Sequence, residues 1–164
     1  MKNILTIIAL FSFIHINAQA FYGKEDSKFQ IGVNFQHNAT SINVAYDYGL
    51  GENFSIGLSS SYALGVPEAI DAKFDDRIDL KARFNANIGS VLNIDENFDF
   101  YPGLNFNLKN FGAHAGARYF FSDGFGVFSE VNFPIAKYNA GTLTDAEKLH
   151  NQFTFSIGTV FNLN

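Results

Sequence analysis

The chain has 164 residues, with 16 acidic and 11 basic side chains, 4 His and no Cys. That is one domain's length. The missing Cys excludes a disulfide framework, thiolate metal sites, a Cys nucleophile and a lipidated N-terminal Cys, and a net charge of -5 speaks against nucleic acid as a partner.

Lys2, the apolar run Ile4 to Ile14 and the small residues of Ala18-Gln19-Ala20 have the layout of a secretory leader. The run is shorter than the roughly 20 residues that cross a bilayer as a helix. The expectation is a leader over residues 1–20, cut after Ala20, and one domain over 21–164. From there the chain alternates with period two in about eight stretches of roughly 9–12 residues. Phe29, Ile31, Val33 and Phe35 oppose Lys28, Gln30, Gly32 and Asn34; then Ile42 to Leu50 oppose Asn43, Ala45, Asp47 and Gly49. Phe54, Ile56, Leu58, Tyr62 and Leu64 oppose Ser55, Gly57, Ser59 and Ser61, and Ile78, Leu80, Phe84 and Ile88 oppose Asp79, Lys81, Arg83, Asn85 and Asn87. Phe98 to Leu108, Phe111 to Phe121, Phe125 to Ile135 and Phe153 to Leu163 repeat the scheme, with Asp99, Tyr101, His114, Arg118 and Glu130 on the opposite face.

The connections alternate in length. Gly51-Glu52-Asn53 and Ser122-Asp123-Gly124 are tight turns, and Lys109-Asn110 reads as a two-residue hairpin loop. Gly65–Asp76 and Asn139–Asn151 are long, and Thr144-Asp145-Ala146-Glu147 matches a capping box that predicts a helical turn. With both termini in the periplasm, both long connections fall on the outer side, as in outer-membrane barrels. The stretch around Val91–Asp95 is long for a periplasmic turn.

Alternation permits a soluble lipocalin-like barrel binding a lipophilic ligand, or a membrane barrel with its apolar face on lipid. Sterics choose between them. The chain has 20 Phe, most of them on the apolar face, and an eight-stranded barrel is only just wide enough to be filled by ordinary side chains. The opposite face is Gly, Ser, Ala and Asn, and the chain is only 16% charged, where a soluble surface carries about 25% or more. Backbone groups in lipid must pair internally, so the sheet must close. The expected fold is all-β: an eight-stranded, antiparallel, up-and-down transmembrane β-barrel, monomeric and in contact with outer-membrane lipid.

Turn registers place the lumenal chemistry. Pairing Phe121 with Phe125 sets Arg118 one diagonal step from Glu130, a distance that long side chains bridge. Pairing Leu108 with Phe111 sets Tyr101 opposite Arg118, pairing Ile88 with Phe98 brings Arg83 near Tyr101, and pairing Phe35 with Ile42 brings Lys28 near Asp47. Arg83, Tyr101, Arg118 and Glu130 are thus expected in one cluster, with His114, Lys28, Asp47, Asp79 and Lys81 on the same polar face. Buried charges are costly unless paired, so the expected role is a neutralised plug; the alternative is a narrow pore for small solutes. His37, His114 and His150 lack ligand spacing, so no metal or cofactor is expected. Ser129 points away from His114 and Glu130, so no catalytic set assembles. The outer loops, with Val66, Pro67, Glu68, Asp71 and Phe74 in one and Asp145 and Glu147 in the other, are where binding would reside; the sequence names no ligand.

Gly116-Ala117-Arg118-Tyr119-Phe120 followed by Gly126-Val127-Phe128-Ser129-Glu130 resembles the penultimate hairpin of small outer-membrane β-barrel proteins of Bacteroidota. Phe29-Gln30-Ile31-Gly32 and Leu80-Lys81-Ala82-Arg83-Phe84-Asn85 are similar to an uncharacterised family within that group. The resemblance covers the whole mature chain. It implies a Gram-negative outer membrane and recognition by the barrel-assembly machinery, with Phe161 and Leu163 standing in for a terminal aromatic residue.

Overall fold

The computed structural model describes residues 19–138, 141 and 143–164. The leader expected over residues 1–20 lies outside the described residues, apart from Gln19 and Ala20. Eight strands follow in chain order: β1 (Ser27–Gln36), β2 (Ala39–Gly49), β3 (Phe54–Leu64), β4 (Ile78–Ala86), β5 (Phe98–Phe106), β6 (Asn110–Ser122), β7 (Phe125–Lys137) and β8 (Thr154–Asn162). Each pairs antiparallel with the next, and β1 pairs with β8 from Lys28↔Asn162 to Gln36↔Thr154, so the barrel closes. Closure leaves no strand edge unpaired along this seam, which is the condition for a sheet to survive without water.

The period-two pattern becomes an inside and an outside. In β2 every second residue from Ala39 to Gly49 is buried; in β6 the buried set is Asn110, Gly112, His114, Gly116, Arg118 and Phe120, with Ala113 to Phe121 alternating outward. The exposed set is apolar: Leu58 (58% exposed), Leu80 (61%) and Ile135 (59%) stand on the outer surface. Most of the buried polar side chains face the lumen. This facing is the reverse of a soluble barrel that carries a lipophilic ligand. Aromatic rings collect toward the two ends of the outer surface. At the end where β1 begins and β8 finishes, Phe29, Phe161, Phe125, Phe121 and Tyr119 form a continuous run with centroids 5.5–6.5 Å apart. At the other end Phe35 stacks on Phe155 at 6.4 Å and Tyr62 meets Phe74 at 5.6 Å. Such girdles mark the two interfaces of membrane barrels.

Several strand ends differ from the sequence reading. The expected Lys109-Asn110 loop is Leu108-Lys109. The Asn107 Oδ1 accepts the backbone N–H of Lys109 (2.8 Å) and of Asn110 (2.6 Å), an Asx-type closure that draws the turn one residue earlier. Every pair of the β5–β6 hairpin therefore shifts by two, and Phe106 rather than Leu108 faces Phe111. Likewise β1 and β2 close tightly at His37-Asn38, with Asn38 at a φ of 64°, so Phe35 faces Thr40 rather than Ile42. Ile88 faces Phe100, whose carbonyl accepts its N–H, rather than Phe98. The long 87–97 connection has a physical account: a helical turn, Gly89–Leu92, folds under the barrel, and Asp99 Oδ1 accepts the Gly89 N–H at 3.2 Å.

Candidate functional site

The lumen is filled in layers. In the middle, Arg83 of β4 and Arg118 of β6 converge on Asp47 of β2. Arg83 Nε lies 3.1 Å from Asp47 Oδ1, and Arg118 Nη2 lies 2.8 Å from Oδ2. Arg83 Nη2 also donates to Glu130 Oε2 at 2.7 Å, while Glu130 Oε1 accepts from Asn132 at 2.8 Å. The Arg118 guanidinium lies 3.9 Å from the centre of the Tyr101 ring and that of Arg83 lies 5.7 Å away, so one aromatic ring faces two cations. Gln30 donates to the Tyr101 hydroxyl at 3.2 Å. Arg83, Tyr101, Arg118, Glu130 and Asp47 are all at least nine-tenths buried.

His114 completes this layer. Its Nε2 is 2.7 Å from Asn85 Oδ1, and its Nδ1 is 3.2 Å from Asn105 Nδ2. Asn85 Oδ1 also accepts from Arg83 Nε at 3.3 Å, so the network assigns the imidazole proton to Nε2 and leaves Nδ1 as acceptor. The ring has room because position 103 is Gly; a Cβ there would overlap the imidazole. Gly116 does the same for Tyr101, whose ring occupies the space a side chain would take.

The sequence reading places these residues together but mispairs some of them. Arg118 faces Phe128 and Gly116 faces Glu130, so Arg118 and Glu130 are diagonal neighbours as expected. Yet Arg118 turns to Asp47 while Glu130 takes Arg83. Tyr101 faces Gly116, not Arg118, because of the two-residue shift at the Asn107 turn; Asp99 faces Arg118 instead. Lys28 faces Asp47 directly, but its ammonium pairs with Asp26 and reaches Asn162 Oδ1 at 3.2 Å. Asp47 is already committed to two guanidiniums, and Asp26 brings another carboxylate to the end where β1 begins and β8 finishes. Asp26 precedes β1 and carries no strand periodicity, so no sequence signal points to it. Asp47 lies at an inward position of β2, but its role as the hub depends on side chains of β4 and β6 reaching across the lumen.

Asp79 and Lys81 form a second, outer layer. Their charged groups are 3.2 Å apart, and Asn107 Nδ2 donates to Asp79 Oδ1 at 2.6 Å. Above them a helical turn, Glu147–His150, closes the outer mouth. Leu149 is buried against Ala39 and Ala63, with Val66, Ile70 and Ala72 of the other long loop packed on it. Gln36 donates to the Leu149 carbonyl at 2.9 Å, and Asn110 donates to the His150 carbonyl at 3.0 Å. Val66 therefore works as part of a lid. Pro67, Glu68, Asp71 and Phe74 stay exposed. Thr144 and Glu147 make the capping contacts: the Thr144 N–H reaches Glu147 Oε2 at 2.8 Å, and the Glu147 N–H reaches Thr144 Oγ1 at 3.3 Å. These Thr144 donors hold the Glu147 carboxyl below its usual range. Asp145 is exposed and pairs with Lys148 at 3.1 Å. The polar cavity between lid and Glu130 leaves water only about 20 Å³, enough for one or two molecules.

The lid carries a titratable group. His150 Nε2 donates to the Asp76 carbonyl at 2.8 Å, and its Nδ1 lies 3.9 Å from Asp79 Oδ2. Burial lowers the His150 pKa; Asp79 and the Asp76 carbonyl pull it up, while Lys109 and Lys81 push it down. A His lowered on folding stabilises the closed lid fully above its unfolded value, about 6.5, and loses that contribution as pH falls below it. Amide protection factors over Lys148–Asn151 should fall as the pH drops below about 6.5, and His150→Gln should flatten that dependence. Protection that rises on acidification would mean that the Asp79 carboxylate dominates.

The family model described as "Family of unknown function (DUF6646)" matches residues 11–163, and the chain belongs to that family. No curated protein matches it. Two solved structures are similar in fold. One, titled "De novo design of transmembrane beta-barrels", has a TM-score of 0.58 at 11% identity, covering 85% of this chain and 97% of the other. The second is the N-terminal β-barrel domain of OprF from Pseudomonas aeruginosa, with a TM-score of 0.54 at 12% identity, covering 86% and 99%.

Proposed function

We propose that this family member is a small outer-membrane β-barrel protein of a Gram-negative, Bacteroidota-type cell, exported by its N-terminal leader and inserted by the barrel-assembly machinery. Its lumen is closed by paired side chains, and its role is structural or interaction-bearing, without catalysis. The observation that carries this reading is the inversion of the barrel: Leu58, Leu80 and Ile135 stand outside while Arg83, Arg118, Asp47 and Glu130 are buried inside. An exposed apolar surface of this extent needs lipid, and strands of 9–13 residues match the roughly 9–11 residues of a tilted spanning strand. The fold likeness to an outer-membrane domain supports the same location.

The test is a gel of the outer-membrane fraction in SDS, boiled against unboiled, followed by reconstitution in planar bilayers. A heat-dependent mobility shift in that fraction, with no steady conductance, is expected. Soluble protein without a shift would overturn the membrane reading; steady single-channel conductance would overturn the closed lumen in favour of a narrow pore.

A further inference from the structure

The floor of the lumen differs from the rest. Here Phe120, Phe128 and Val160 point inward, each at most 2% exposed, below the charged middle layer, and Ala20 covers them at 2% exposure. Ala20 is held there by its backbone N–H, which donates to the Glu96 carbonyl at 2.8 Å in the 87–97 connection. Phe21 follows at 7% exposure. The chain then folds back beneath the barrel. The Tyr22 N–H donates to Asp26 Oδ2 at 2.7 Å, and Lys28 Nζ lies 5.4 Å from the Tyr22 ring and 5.2 Å from the Phe120 ring. Gly49 makes this return possible, since a Cβ there would overlap the Gly23 carbonyl. Gln19, one residue upstream, is exposed, and its side-chain amide donates to the Phe21 carbonyl at 2.9 Å.

We infer that the export peptidase hydrolyses the Ala18–Gln19 bond, not the Ala20–Phe21 bond, and that the retained Gln19-Ala20-Phe21 segment is the permanent floor of the barrel. The inference rests on the export reading above. The small-residue rule alone favours the later bond, which has Ala at both recognised positions; the earlier bond keeps Ala18 beside the cut, with Ile16 upstream. The two starts differ in what the folded protein keeps. A chain starting at Phe21 loses the Ala20–Glu96 bond and uncovers three apolar side chains to periplasmic water. A chain starting at Gln19 keeps both, and its new ammonium lies at an exposed residue. Hydrolysis consumes one water: Ala18 leaves with the new carboxylate and Gln19 keeps the amine. That amine can then close on its own side-chain carboxamide, expelling ammonia to form a lactam.

The experiment combines N-terminal peptide mapping with intact mass of protein from the outer-membrane fraction, for the natural chain and for Ala20→Leu. The natural chain should begin at Gln19, as amine or lactam. Ala20→Leu should still be processed, because position 20 lies past the cut, and should also begin at Gln19, with the substituted residue second. Its unfolding temperature in SDS should drop, since Leu overfills the space between Phe120, Phe128 and Val160. A natural start at Phe21, or accumulation of unprocessed Ala20→Leu, would overturn the cleavage site while leaving the export reading intact. A natural start at Met1 would overturn export itself, and this inference with it. Processed Ala20→Leu with an unchanged unfolding temperature would overturn the role as floor.

Discussion

Asp47→Ala is expected to be the most destabilising single charge removal in the barrel, lowering stability by about 3–5 kcal/mol. The reason is the number of partners left behind. Asp47 sits between two guanidiniums, at 3.1 Å from Arg83 and 2.8 Å from Arg118, and all three side chains are at most 3% exposed. Arg83 would keep Glu130, but Arg118 would keep only the Tyr101 ring and Asp99 across the strand pair, with its Nε and Nη1 already lacking partners. An uncompensated buried cation is the expensive outcome of breaking such a pair. Glu130→Ala should cost less, because Arg83 would still hold Asp47. Lys148→Ala, on a pair whose side chains are 51% and 80% exposed, should cost less than about 1 kcal/mol. The measurement is the temperature at which the folded band converts in SDS, together with urea unfolding in a lipid-like detergent. An Asp47→Ala protein as stable as Lys148→Ala would show that the lumenal charges do not hold the barrel.

Gly116→Val is expected to cost about 1–3 kcal/mol, the range that overpacking usually shows. A strand usually gains from Val, so the sign itself tests the geometry. The Tyr101 ring lies where the new side chain must go, and displacing that ring also withdraws it from Arg118. Combining Gly116→Val with Tyr101→Ala should be less harmful than the sum of the two single changes, with a coupling of about 0.5–3 kcal/mol. Purely additive effects would separate the glycine from the ring and remove the packing argument for position 116.

What the sequence determined by itself is the architecture. Alternation in stretches such as Ile42–Leu50 and Phe111–Phe121 requires strands, and the side-chain period of two ties face to parity, so Arg83, Arg118 and Glu130 share an interior without any knowledge of register. The crowding of Phe decided which face that interior is, because ring volume exceeds what eight strands enclose. Even Thr144 and Glu147 were legible, since a capping box is a local interaction.

Only the tertiary structure decided who pairs with whom. A one-residue change in where a turn closes, at Asn107 or at Asn38, moves the facing strand by two residues and preserves every face while exchanging every partner. Parity arguments are blind to that shift. Asp47 became the hub, and Lys28 was left to Asp26, because side chains from β2, β4 and β6 meet across the lumen at distances that no turn rule encodes. Ala20 shows the same limit at the chain's start: local pattern marks it as the end of a leader, and only the barrel built by later strands gives it a place to be buried.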